Sequence, residues 1–241
     1  MYKKIFLILL FNFQILSAQN IKEVLIVSES WEGYTNKDGS GLYFDIARMI
    51  YEPMGIEVKT KTYPYKRSSM MVDRKVADMW LGSYIDEEDY ALYPKYHFDR
   101  EILTAMFKKE KYPNFIDKKS LINIDVCWIR GYNLDEYLNV KVKVNERNDR
   151  TTILNALEKD RYDFLLDDKR DMQDAIAKND FNTSNYNFVE VLEIRLYPGI
   201  RNDDRGKELK EIWDERYKNI IKDGSLKKLY IEHDRIKEYL Y

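Results

Sequence analysis

Short apolar, β-branched runs alternate along this chain with stretches of helical spacing, and the alternation comes twice. Residues 23–28 (EVLIVS) form the first run, a buried strand by pattern. Leu42, Ile46, Met49 and Ile50 follow at helical spacing, until Pro53 and Gly55 stop the helix. Residues 56–63 (IEVKTKTY) alternate as a half-buried strand, 67–74 read as a second helix, and 78–84 (DMWLGSY) as a third strand. A similar series begins at 122–129 (INIDVCWI) and runs through a helix at 134–138 and a strand at 140–144. It ends with a helix at 152–157 and a buried strand at 162–166 (YDFLL). Strands that alternate with helices this way build parallel sheets of the α/β class. Residues 189–200 are extended again; Leu209, Ile212, Trp213 and Ile220 then mark an amphipathic helix, and a last short helix spans 226–231.

Composition narrows the function classes. The 241 residues are 44% hydrophobic, enough for a core. Lys and Arg number 40 against 42 Asp and Glu, a net charge of −2, so no broad basic face for nucleic acid is expected. The single cysteine, Cys127, allows no internal disulfide. It lies in an apolar strand, as an inert core thiol would. His97 and His233 are the only histidines and lack metal-ligand spacing. There is no Gly-x-Ser-x-Gly elbow, phosphate loop or dinucleotide fingerprint. No catalytic residue, metal or cofactor is therefore expected.

The first residues read as a delivery signal. Met1-Tyr2-Lys3-Lys4 is a basic start, 5–16 is an apolar run, and Leu16-Ser17-Ala18 is a small-residue cleavage site. The run is too short for a membrane span, which needs about 20 apolar residues. Cleavage after Ala18 and a periplasmic location are the expectation, with no lipoprotein cysteine after the run.

Several pieces, in order, resemble the bacterial extracellular solute-binding proteins of family 3, the polar amino-acid-type binding proteins. Gly41-Leu42-Tyr43-Phe44-Asp45 is similar to that family's Gly-Phe-Asp-x-Asp helix entry. Tyr63-Pro64-Tyr65-Lys66-Arg67 resembles a Pro-aromatic-x-Arg variant, and Lys75-Val76-Ala77-Asp78 its Gly-x-x-Asp before a strand. Arg130-Gly131 resembles the turn opening the second lobe, and the run from Tyr162 to Asp168 its Val-Asp-Ala-hydrophobic-x-x-Asp. Lys222-Asp223-Gly224-Ser225-Leu226 resembles the closing Lys-x-Gly-Thr-hydrophobic pattern. The resemblance implies a periplasmic-binding-protein type II-like fold, with two α/β lobes and a double-crossing hinge. Lobe one would hold 19–107 plus 195–241, and lobe two 108–194, with crossings near 102–107 and 192–200. It implies capture of a small polar ligand, possession of an ABC-type membrane permease as partner, and a monomer.

In open α/β sheets, ligands sit beyond the carboxyl ends of the strands. The candidates by that rule are Trp31 after the first strand, Tyr65 and Arg67 after the second, and Ser83 and Tyr84 after the third. Arg130, Gly131 and Tyr132 follow the strand that opens lobe two. Trp31 offers a stacking wall. Arg67 is a fixed-charge fork at a helix start, and the amides at 130–132 suit an anion. Asp168 falls where the resemblance places the acid that receives a ligand's ammonium group. One departure counts against a plain amino acid: where the family carries its carboxylate-gripping arginine, this chain reads Asp86-Glu87-Glu88-Asp89, with an acid near Asp89 in its place. Two alternatives stay open. One is an enzyme on the same fold, such as a cyclic-acid dehydratase. The other is a sensing partner of a membrane receptor.

Overall fold

The computed structural model describes residues 21–241. The delivery signal read in 1–18 lies outside the described residues. Among the described residues, eight strands form one continuous path of pairing with two parallel ends, and a ninth, very short strand pairs beside it. Strand β1 (Glu23–Ser28) lies between β2 (Glu57–Thr62) and β3 (Met79–Ser83), parallel to both. Because β1 is central, both of its faces are covered, and its apolar run is continuous rather than alternating. β2 is the edge strand, and its EVKTKT alternates between half-buried and exposed positions. The other end repeats the arrangement: β6 (Asp125–Ile129) lies between β7 (Lys143–Arg147) and β8 (Phe164–Asp168), again parallel.

Two long antiparallel strands join the ends. β5 (Asp99–Lys108) pairs with β8 on one side and β9 (Tyr186–Arg201) on the other. β9 continues past β5 to pair with β3 and with the two-residue β4 (Ala91–Leu92). The order is therefore β2-β1-β3-β9-β5-β8-β6-β7. The β5–β9 register shifts between Leu103 and Thr104, where Leu103 faces Leu192 and Thr104 faces Glu190. The unpaired Val191 is a bulge, which bends and twists a strand locally.

Helices cover the sheet. α1 (Leu42–Tyr51) buries Leu42, Ile46 and Ile50 of the spacing read from sequence, leaves Met49 half-buried, and buries Ala47 as well. α2 (Tyr65–Asp73) precedes β3. α3 (Asp135–Leu138) and α4 (Arg150–Glu158) flank β7, and α5 (Lys169–Lys178) follows β8. α6 (Asp204–Lys222) lays Leu209, Trp213, Tyr217 and Ile220 onto the core, and α7 (Ser225–Glu232) follows. A single 3₁₀ turn, Ile236–Glu238, ends the described elements. No described helix is long and apolar enough to cross a membrane.

The structure corrects two sequence expectations. The strand expected at 140–144 is β7 at Lys143–Arg147, because Asn139 takes a left-handed turn (φ 55°) after α3 and delays the pairing. And α5 had no counterpart in the sequence reading. Its ten residues bury only Met172 and Ala175, too few to stand out as an apolar stripe.

A candidate ligand-binding cleft

The carboxyl ends of strands from both halves of the sheet meet around a small cavity. Trp31 comes from the loop after β1, and Gly82 and Tyr84 from the end of β3. Tyr132 follows β6, while Asp168 ends β8 and Arg170 and Asp171 open α5. Glu101 of β5 and Leu196 of β9 complete the wall with Tyr34, Tyr43 and Tyr65. The cavity volume is about 40 Å3. A single water needs roughly 10–15 Å3, so the cavity takes a compact group.

Six aromatic rings line it. Tyr65 and Tyr132 meet edge to face across the halves at 5.3 Å, and Trp31 stands 6.5 Å from Tyr65 and 6.4 Å from Tyr43. Gly82 makes the Trp31 position possible. A Cβ there would lie 2.4 Å from Trp31 Cη2, and the backbone is left-handed at φ 86°. The tyrosine hydroxyls are already donated: Tyr34 to Glu238 at 2.8 Å, Tyr65 to Glu87 at 2.6 Å, Tyr84 to Glu101 at 2.6 Å, and Tyr43 to Asp99. What remains toward a ligand is mostly ring surface.

Two guanidinium groups bind the acids around the cavity. Arg150 reaches Asp167 at 2.7 Å, Glu29 at 3.0 Å, and also Asp171 and the Tyr132 hydroxyl. Arg170 reaches Asp99 at 2.9 Å and both Asp168 and Glu238 at 3.2 Å. Asp168 itself is engaged: Oδ1 accepts the Arg170 amide at 2.8 Å as the α5 cap, and Oδ2 accepts the Ile102 amide at 3.0 Å. Glu101 has no guanidinium. Its Oε2 accepts from Tyr84, and its Oε1 is buried with no partner among the described residues. Burial pushes the Glu101 carboxyl well above the usual carboxylate range, with the neighbouring Asp168 charge adding to it. Burial likewise raises Asp171 to about 7, against the pull of Arg150.

Of the nine candidates read from sequence, Trp31, Tyr65, Tyr84, Tyr132 and Asp168 line this cavity. The other four lie outside it. Ser83 is buried behind the wall, with Oγ 2.6 Å from Glu87. Arg67 is exposed and rests over the Tyr63 ring at 4.4 Å. Arg130 is exposed beside Glu146, on a wider outer groove. Gly131 donates its amide to Glu146 at 2.9 Å and packs on Lys66, where a Cβ would approach within 2.9 Å. In the acidic run, Asp89 is exposed, and Glu87 is the acid that turns inward, onto Ser83, Tyr65 and the Tyr84 amide. The sequence reading missed Glu101, Arg170, Asp171, Tyr34 and Tyr43. A usable signal was present for one of them: Glu101 interrupts the otherwise apolar stretch ILTAMF from its N-terminal side.

No protein-family model matches the chain, and no curated protein sequence does so significantly. Solved structures do match. A substrate-binding protein of an ABC uptake transporter from Streptococcus pneumoniae, with bound histidine, superposes with a TM-score of 0.67. It is 17% identical, over 88% of this chain and 92% of its own. A histidine kinase sensor domain with similarity to periplasmic binding proteins gives 0.72 at 15% identity, over 88% and 96%. An ancestral arginine-binding protein bound to arginine gives 0.68 at 16% identity, over 88% and 97%. The fold is that of the type II periplasmic binding proteins. In this type II fold the cavity lies between two α/β halves, with β5 and β9 running from one to the other.

Proposed function

We propose that the protein is an exported solute-binding protein that captures a small polar organic ligand between two lobes. The observation that carries the reading is the aromatic-lined cavity where strand ends of both halves converge. Pockets of this kind, mostly apolar with a few placed polar groups, are what small-molecule sites look like. The structural neighbours support it, since one is a transporter's substrate-binding protein holding histidine and another holds arginine. In this reading 19–107 with 195–241 form lobe one, 108–194 form lobe two, and rotation about β5 and β9 closes them. The chain works as a monomer in the periplasm after loss of 1–18, and delivers its ligand to an ABC-type permease. A sensing role is the second reading, favoured by the sensor-domain neighbour with its TM-score of 0.72. The ligand would then be reported to a membrane receptor.

A thermal-shift screen of the protein lacking residues 1–18 tests the capture reading. The panel holds amino acids, polyamines, short peptides, sugars, nucleosides and cyclic carboxylic acids. Ligand at about 100 times its Kd adds roughly 2.7 kcal/mol of stability, a rise of about 5–10 °C for a chain of this size. One class should give that rise and the others none. A flat response from a folded protein sinks the reading, and turnover of the hit would make it an enzyme.

A further inference from the structure

Four tyrosine hydroxyls around the cavity are spent on the protein's own acids, and one carboxylate oxygen has no donor among the described residues. Glu101 is 6% exposed, and its Oε1 is a buried acceptor with nothing to accept from. A buried polar atom left unpaired is costly, and native structures rarely keep one without a reason. Around it the hydroxyls of Tyr34, Tyr43, Tyr65 and Tyr84 all donate to protein carboxylates. A ligand that brings oxygen acceptors finds none of these four hydroxyls free to receive them. A ligand that brings N–H donors, or a bare positive charge, finds Glu101 and the ring surfaces.

The charge count points the same way. Glu101, Asp168 and Asp171 all line the cavity, and Arg170 is the one cation among the lining residues. Arg170 already lies within 3.2 Å of three carboxylates, those of Asp99, Asp168 and Glu238. Arg150, behind the wall, is likewise shared among Asp167, Glu29 and Asp171. A carboxylate entering here would find the one lining cation already shared, and would meet like charge from each lining acid that ionises. A cation would replace a water-poor acid's missing partner and lie among rings whose faces attract it.

We propose that Glu101 is the counter-ion of the ligand, and that the ligand is a small organic cation carrying no carboxylate. The class is an amine, an amidine or guanidine, or a quaternary ammonium compound. The proposal rests on the solute-binding reading above and adds the ligand's charge to it.

Matched pairs that differ in the carboxylate test it: agmatine against L-arginine, putrescine against L-ornithine, and choline against glycine betaine. Binding is measured by calorimetry on the protein lacking residues 1–18 and on E101Q. Glutamine keeps the size of Glu101 and a polar contact to Tyr84 but cannot carry the negative charge. The expected result is that a carboxylate-free member binds at least tenfold tighter than its partner, and that E101Q loses at least tenfold for that member. E101Q should melt at or above the parent temperature, since a buried acid has been removed. Equal or tighter binding of the carboxylate-bearing members overturns the proposal and leaves solute capture standing. Unchanged affinity in a folded E101Q removes Glu101 as counter-ion. Binding of none of the six, while another class shifts the melt in the screen above, overturns the cation and again spares capture. Failure of every class overturns both.

Discussion

Side-chain direction decides which of the sequence candidates reach the cavity. Successive residues of a strand point to opposite faces, so with Gly82 and Tyr84 on the cavity wall, Ser83 turns behind it onto Glu87. On a helix two residues are about 200° apart. Tyr65 faces the cavity from the first turn of α2, and Arg67 faces solvent over Tyr63. The rule that ligands sit beyond strand ends leads to the neighbourhood of this cavity but not to the facing, which needs the register. For Glu101 the sequence shows an acid at the head of an apolar strand, but its missing partner is a property of packing. At this scale the sharpest expectation is for Gly82→Ala. The substitution strains a left-handed residue by roughly 1–3 kcal/mol and drives a methyl into Trp31. Thermal melts should fall by several degrees and ligand affinity by at least tenfold. A variant that melts and binds as the parent does would show that Trp31 has room to move.

Elements with strong apolar patterns were legible, and those held by polar contacts were not. β1 is found at the residues its sequence named because no polar residue interrupts its core, and α1 because its apolar spacing is dense. α5 and the turn Ile236–Glu238 carry no such pattern, yet both serve the cavity. α5 brings Arg170 and Asp171 to the wall, and the turn brings Glu238 to Tyr34 and Arg170. Arg235 adds its guanidinium 3.9 Å from the Tyr34 ring centre. The closing turn is thus tied to both halves of the sheet. Glu238→Gln should cost about 1.5–3 kcal/mol, the range for hydrogen bonds to charged groups, or roughly 3–12 °C in Tm for a chain of this size. Calorimetric melting of the ligand-free protein measures it. An unchanged Tm would mean that the turn only rests on the surface.

Across the whole molecule, burial of acids sets the response to pH. Asp171 is raised to about 7, and Asp99, Glu101 and Asp167 are raised by burial as well. An acid whose folded pKa lies above its unfolded value holds its proton longer when folded. Its contribution is fully present below the unfolded pKa and is lost as pH rises through the folded one. His97, depressed by burial, works in the opposite direction up to its unfolded value near 6.5. Several acids outweigh one histidine, so the Tm of the ligand-free protein should fall as pH rises from about 4 to above 7. A Tm that climbs steadily over that window would show these acids to be ionised in the folded state. Affinity for a cationic ligand should rise over the same window, because the ligand binds the ionised carboxylates. The two halves and their alternating elements were legible in the sequence. The charge balance of the space between them was not, since it depends on which acid each arginine chooses.

The paired strands β5 and β9, with their bulge at Val191, have a mechanical consequence. In the closure proposed above, two ribbons bonded edge to edge would twist together like a leaf spring, and no rung between them need break as the halves swing. The stiffness of that swing is then set elsewhere, at the points where the halves touch: Arg150 on Glu29, Tyr132 on Tyr65, and Arg170 on Glu238. On that reading the backbone supplies a soft axle and the side chains supply the catch. Evolution can therefore retune how readily the jaws part by changing a few charges at the rim, without touching the spring.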